Sequence, residues 1–463
     1  PYRHNHPDFI ARYIESGSQF IRFPGGTVGN LYNWHTGFLQ EYTGITASHE
    51  KRIKSLNGNL SLLGGCTTDA FLTFIEKTET PFSVVLNIFS ITPEDNRAWL
   101  TSIKKAGLEV KYIELGNENY LNAYKTIFPD ASSYIKIAKQ HWAAGRDIFP
   151  NAKYSLVTTT IAYHFDAVES EEEGQAGMNN AVKEELQWNE IISREIWHDA
   201  LTVHMYTYVN AKLGPSPEEA YGNVLSSSDA LFDKTMAYYK KKFPGKELWV
   251  TEWNMSGFSS RGNMGGESPL GTFGNVIFIA DFQMKLLLSA FADCGALHQI
   301  PDFLDMPGNE KKERVFADHE RFTLKPEFYV LKLLRDPVCK TRRLAPITVA
   351  GVNKFPVQTK GDKGEKTGGG MIEISPVTGG YFYEGKEKYL VLINRSAAAH
   401  TIGSFVPAVN TPPYLHISLS SDFLSARKMG EGKGAVNYNK KEISSFADIQ
   451  LAPHSINVIV FNG

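Results

Sequence analysis

Seven short runs of β-branched and aromatic residues alternate with longer amphipathic stretches from residue 19 to about residue 335. The strand candidates are Phe20 to Phe23, Ser83 to Phe89, Tyr112 to Glu118, Tyr154 to Thr160, Ala200 to Tyr206, Glu247 to Trp253 and Gly295 to Ile300. Helical periodicity falls between them, at Thr68 to Lys77, Pro93 to Ala106, Ala131 to Ile148, Ala181 to Arg194, Ser228 to Lys242 and Thr272 to Ala290. Neighbouring parallel strands need a crossover of a dozen or more residues, usually a helix, so this rhythm predicts a parallel sheet wrapped by helices. Seven visible βα units predict a (β/α)8 TIM barrel, with the first strand expected upstream of Pro1 because Asp8 to Ser16 reads as a helix leading into Phe20. An open doubly wound sheet is the competing architecture. It is disfavoured because no GxGxxG or GxxxxGK[ST] follows any of these strands.

Beyond Leu334 helical periodicity ends. Gly- and Lys-rich turns, such as Lys360 to Gly370 and Lys428 to Gly434, separate short alternating runs such as Tyr389 to Asn394, Tyr414 to Leu419 and Ile456 to Phe461. The expected division is a catalytic barrel over residues 1–339 and an antiparallel β-sandwich over 340–463.

Composition narrows the partners. Lys and Arg number 48 against 50 Asp and Glu, so no global field recruits nucleic acid or an acidic membrane surface. No apolar run approaches the ~18 residues of a membrane span. The three cysteines, Cys66, Cys294 and Cys339, are widely spaced, lack a CxxC pattern and read as buried free thiols. His4, His6, His35 and His49 form no metal-ligand framework, and Glu171 to Glu173 reads as a solvated loop. No metal or cofactor is expected. The start at Pro1 gives the expectation of an upstream segment, and a secreted or periplasmic location is favoured.

Chemistry concentrates at strand ends. The runs Tyr112 to Leu115 and Leu248 to Thr251 lead into Glu118 and Glu252. An unpaired ionised carboxylate is costly to bury, so an acid closing an apolar strand calls for a function. If these are the fourth and seventh strands of an eight-strand barrel, the two acids face each other across its axis. Paired carboxylates are the apparatus of glycosidic-bond hydrolysis. Other polar groups fall at the same strand ends: Arg22, Asn87, Asn117, His204, Tyr206, Asn254, His298 and Gln299. Each has a plainer alternative. Arg22 can be a structural ion-pair partner, Asn87 a turn former, His204 and His298 satisfied core histidines, and Trp34 and Trp253 core aromatics instead of sugar-stacking platforms.

The pairing of Gly116-Asn117-Glu118 with Thr251-Glu252-Trp253-Asn254 resembles clan A of the retaining glycoside hydrolases. Within it, Ile21-Arg22-Phe23-Pro24-Gly25-Gly26 followed by Tyr32-Asn33-Trp34, then His204-x-Tyr206, is most similar to the family 51 α-L-arabinofuranosidases, with the heparanase-like family 79 and family 39 as neighbours. The resemblance implies a barrel plus β-sandwich, Glu118 as general acid/base and Glu252 as nucleophile. It also implies Arg22 and Tyr206 as donors to Glu252 and Asn117 as a donor to the sugar hydroxyl beside the anomeric carbon. Trp34, His204, Trp253 and Gln299 become substrate-binding or supporting residues, and an oligosaccharide or polysaccharide the partner. Thr27 stands where family 51 usually has asparagine, and Met255-Ser256-Gly257 replaces its aromatic run. The substrate therefore stays open between an arabinofuranoside and an algal, plant or uronic-acid-containing polysaccharide cut internally. A carbohydrate-binding relative without turnover is the alternative from another class.

Overall fold

The computed structural model describes residues 5–42, 45–61, 65–159, 180–207, 221–255, 270–289, 292–297, 304–305, 323–358, 371–402, 405–406, 409 and 411–462. Strands β1 (Ile21–Phe23), β2 (Phe82–Leu86), β3 (Tyr112–Leu115), β4 (Lys153–Val157), β5 (Ala200–Thr207), β6 (Glu247–Met255) and β7 (Ala292–Leu297) form one parallel sheet, hydrogen-bonded in sequence order. The longer helices, of ten residues or more, are α1 (Pro7–Ser16), α2 (Ala47–Ser61), α3 (Thr68–Thr78), α4 (Pro93–Lys105), α5 (Ala131–Arg146), α6 (Asn180–Ile192), α7 (Asp233–Lys242), α8 (Phe273–Leu288) and α9 (Pro326–Lys340). Sequential parallel strands with intervening helices are the organisation of a TIM barrel. None of the described helices is long and apolar enough to cross a membrane.

Local chemistry fixes the helix starts. Thr92 and Asp95 form a reciprocal capping box with Pro93 in the first turn of α4; Asp130 accepts from Ser133 N and Thr272 from Asn275 N. One stretch and the cysteines depart from expectation. The stretch after Asn30 holds a short hairpin, Tyr32–Asn33 with Phe38–Leu39, and then α2, whose weak amphipathicity hid it from periodicity. Cys339 is exposed near the end of α9, and Cys66 is half-buried. His4, Thr160, Glu171 to Glu173, Ser256, Gly257, His298, Gln299, Ile300 and the Lys360 to Gly370 turn lie outside the described residues.

After α9 the chain forms a six-stranded antiparallel sheet: β8 (Arg343–Pro346), β9 (Val377–Tyr383), β10 (Glu387–Asn394), β11 (Pro413–Ser420), β12 (Asn437–Glu442) and β13 (Ser455–Asn462), in the order β8-β9-β10-β13-β11-β12. Period-two alternation divides its side chains between two cores. Tyr389, Val391, Ile393, Ile456, Val458 and Val460 join the core shared with the barrel. Leu390, Leu392, Ile459 and Phe461 face away, under a second layer that includes Ile402, Phe405 and Leu451. Near-continuous apolar runs in β10 and β13 follow from this burial on both faces.

Arg395, fully buried at the end of β10, pins the sheet to the barrel. Its Nη1 lies 2.6 Å from Asp229 Oδ2, 3.2 Å from Asp281 Oδ2 and 2.9 Å from Leu225 O, while Nη2 donates to Ser375 O at 2.7 Å. Ser228 Oγ and Thr378 Oγ1 donate to Asp281. A charge buried this deeply persists because partners satisfy its donors.

Candidate active site

The barrel interior carries a polar layer below the strand ends. Arg22 on β1 extends across β2, and its guanidinium forks Glu114 of β3: Nε lies 2.8 and 3.0 Å from the two carboxylate oxygens, and Nη2 lies 2.8 Å from Oε2. Ser83 Oγ donates to Glu114 at 3.1 Å, and Thr202 Oγ1 does so at 3.4 Å. The remaining donors of Arg22 point up to the strand ends. Nη1 reaches Glu252 Oε1 at 2.7 Å and Nη2 reaches Asn117 Oδ1 at 2.8 Å. Burial disfavours the arginine charge, but Glu114 and Glu252 outweigh it and raise the pKa further.

Glu252 owes its direction to a break in strand register. Val203 pairs with Val250 but His204 pairs with Glu252, so Thr251 is an extra residue in β6, and the β6 to β7 register also shifts between Val250 and Trp253. Such a bulge re-aims the side chains that follow it. Trp249 meets Tyr112 of the non-adjacent β3 across the barrel interior, at 5.3 Å between ring centroids. Glu252, three residues on, also points inward, which unbroken alternation forbids. Trp253 then falls on the outer face, 3% exposed, its ring stacked on Phe282 at 5.0 Å and packed against Phe278 of α8. That placement corrects the sugar-platform alternative for Trp253: the ring belongs to the barrel core.

Two further groups define the carboxylate pair. Tyr206 OH donates to Glu252 Oε2 at 2.6 Å, so each oxygen of this nearly buried carboxylate receives a strong donor. His204, on the same face of β5, sets Nδ1 2.9 Å from Glu118 Oε1 and 3.7 Å from Glu252 Oε2. Burial pulls the His204 pKa down; Glu252 and then Glu118 outweigh burial and raise it. Glu118 itself is more open, its side chain 22% exposed.

The loop after β3 is built to present Glu118. β3 ends at Leu115, short of the sequence expectation, because Gly116 and Glu118 both take positive φ, 88° and 46°. A Cβ on Gly116 would stand 2.1 Å from Asn119 Oδ1, so only glycine fits. Asn30 pins this loop from below, donating to Asn117 O at 2.5 Å and accepting from Asn117 N at 2.9 Å. Asn117 Nδ2 is buried without a protein partner among the described residues.

Asn87 and Trp34, two further sequence candidates, are held by other contacts. Asn87 organises the turn after β2, donating to Tyr32 O and accepting from Phe89 N and Ser90 N. Trp34 is half-buried with its ring centroid 3.7 Å from that of His35. Sequence reading missed Glu114 and Asn30. Glu114 carried a signal, an acid inside an apolar strand, whereas Asn30 acts on backbone and carries none. One oxygen each from Glu118 and Glu252 and a His204 ring nitrogen lie within 4.8 Å of one another, the only such group of potential metal ligands among the described residues. Arg22 supplies a positive charge to Glu252, and the two carboxylates raise the His204 pKa.

No protein-family model matches the sequence, and none of the curated proteins compared with it matches. Solved structures do match along nearly the whole chain. The α-L-arabinofuranosidase of Thermotoga maritima superposes with a TM-score of 0.66 at 15% identity, covering 98% of this chain and 90% of its own. The GH51 arabinofuranosidase of Xanthomonas axonopodis pv. citri gives 0.63 at 14% identity, covering 100% and 92%. A 4-O-α-L-rhamnosyl-β-D-glucuronidase of Fusarium oxysporum gives 0.54 at 13% identity, covering 98% and 92%. The chain has the fold of these proteins, a TIM barrel followed by a β-sandwich.

Proposed function

We propose that this chain is a retaining glycoside hydrolase in which Glu252 is the nucleophile and Glu118 the general acid/base. The observation that carries the reading is the approach of the two carboxylates to within 4.8 Å in contrasting surroundings. Retaining enzymes hold the pair ~5–5.5 Å apart, whereas inverting enzymes leave ~6.5–9.5 Å for a water.

The surroundings divide the work. Arg22 and Tyr206 favour the ionised form of Glu252, as a nucleophile needs. Glu118, which His204 contacts instead, is left for the acid/base role. In the first step a Glu252 oxygen bonds to the anomeric carbon as the bond to the leaving oxygen breaks, and the Glu118 proton passes to that oxygen. In the second, Glu118 takes a proton from water, whose oxygen attacks the anomeric carbon and releases Glu252. Glycosylation cancels the Glu252 charge, which weakens the pull on the His204 proton while Glu118 becomes anionic beside it. His204 thus steadies the Glu118 carboxylate between the steps. The open Asn117 amide supports a hydrogen bond to the hydroxyl next to the reacting carbon, a contact that strengthens as positive charge develops there.

Likeness to the arabinofuranosidases makes an α-L-arabinofuranoside the first substrate to try. Glu252→Ala should abolish turnover while leaving the fold intact, and azide should partly restore it, yielding a glycosyl azide of inverted configuration. Undiminished turnover in that variant removes Glu252 from the role.

A further inference from the structure

α8 is buried on every side of its first half: Phe273, Val276, Ile277, Ile279, Ala280 and Phe282 are each 0% exposed. A helix buried all round has no water to meet the N–H groups of its first turn, so protein must meet them. The cap residue Thr272 takes one, from Asn275 N. Two more go to the sandwich. Phe273 N donates to Ala426 O and Gly274 N to Leu424 O, each at 2.7 Å. Both carbonyls belong to the loop between β11 and β12, and Leu424 and Ala426 pack into the core shared with the barrel. Arg427 of the same loop adds a bond from Nη1 to Leu270 O at 2.9 Å, just ahead of the helix, where Glu327 of α9 accepts from Gly271 N.

The same helical turn reaches the end of β6. Asn275 Nδ2 lies 3.2 Å from Asn254 Oδ1, which also accepts from Met255 N at 2.7 Å. Asn254 stands two residues past Glu252. This strand end needs outside support: after the bulge at Thr251, Trp253 with Leu297 is the one pairing to β7 beyond Val250 among the described residues. The Phe278 and Phe282 rings hold Trp253, and Asn275 holds Asn254. Asn275 is fully buried, and the bond to Asn254 is its one side-chain hydrogen bond among the described residues. A buried amide costs stability unless it is hydrogen-bonded, so packing alone would favour an apolar side chain in place of Asn275.

We propose that Asn275 is a positioning residue for Glu252, and that the sandwich loop sets its place by docking on the first turn of α8; the inference rests on the retaining-hydrolase reading. A carboxylate that must meet the anomeric carbon while keeping Arg22 and Tyr206 as donors tolerates little drift of the strand that carries it. The sandwich thereby acts on the reaction through α8.

The full chain carrying Asn275→Ala tests this, on the sugar that wild type releases from a panel of 4-nitrophenyl glycosides. Its kcat should fall about ten- to a hundredfold with KM little changed. The acid limb of the kcat/KM profile should move to higher pH, because a drifting strand end loosens the Arg22 and Tyr206 contacts that favour ionised Glu252. Arg427→Met should move the limb the same way by less, and it decides the matter if Asn275→Ala does not fold. Arg395→Met is the control: it weakens a different contact between barrel and sandwich, so it should lower Tm and leave the limb in place. An unmoved limb with kcat near wild type in the folded variants overturns the inference and leaves the hydrolase reading standing. A limb that moves as far in Arg395→Met also overturns it, since any loosening of the sandwich would then suffice. No turnover by wild type across the panel, with no mechanism-based label on Glu252, overturns the hydrolase reading itself.

Discussion

Arg22 holds Glu252 by one nitrogen at 2.7 Å while its other face is forked by Glu114, so Glu252 is positioned through a carboxylate of a different strand. Glu114→Gln keeps the volume but removes the charge that fixes the guanidinium. Breaking a buried pair costs about 3–5 kcal/mol, and misplacing an electrostatic donor costs about 10²–10³ in kcat. Glu114→Gln should therefore lower both the urea midpoint and kcat. Arg22→Lys should lower kcat at least as much, since an ammonium cannot serve three acceptors in one plane.

His204 gives a pH dependence of defined sign. Glu118, Glu252 and Arg22 face it, and its native pKa is raised above the ordinary 6.5. A raised pKa means that the native state holds the proton more tightly, so the stabilisation is complete below pH 6.5 and is lost as pH rises through the higher native value. Urea unfolding of wild type and His204→Gln across pH 5 to 10 should show an advantage for wild type that shrinks on the alkaline side. An advantage growing with pH contradicts the assignment.

His141 and His198 have the opposite sign. Burial lowers both to about 4; His141 Nδ1 sits 2.7 Å from Asn96 Nδ2, and Lys246 adds to the effect at His198. The unfolded chain takes up these protons first, so stability falls as pH drops from 6.5 toward 4. At about 1.36 kcal/mol per pKa unit, each site accounts for about 3 kcal/mol at pH 4. Replacing both by Gln should flatten that part of the denaturation profile.

Arg395→Met should separate stability from chemistry. It leaves Asp281 buried with, among the described residues, only the hydroxyls of Ser228 and Thr378, a loss of about 3–5 kcal/mol at the junction of barrel and sandwich. Calorimetry should show a lower Tm, or two transitions in place of one, with kcat of the folded enzyme close to wild type.

The strand and helix rhythm made the barrel legible, because burial on both faces leaves apolar runs and the helical stretches between them supply the crossovers that parallel strands need. Glu118 and Glu252 were legible for the same reason, as acids where an apolar strand closes. The orientation of Trp253 was not, because it depends on the bulge at Thr251, and a one-residue change of register carries no compositional mark. Asn30 was hidden differently: it holds the Glu118 loop through backbone atoms, which any sequence possesses.

The central claim is double displacement across a close carboxylate pair, and stereochemistry tests it most directly. Proton NMR of the first sugar released, recorded before mutarotation, should show the anomeric configuration of the substrate. Release of the opposite anomer would contradict Glu252 as a covalent nucleophile and with it the account of this site.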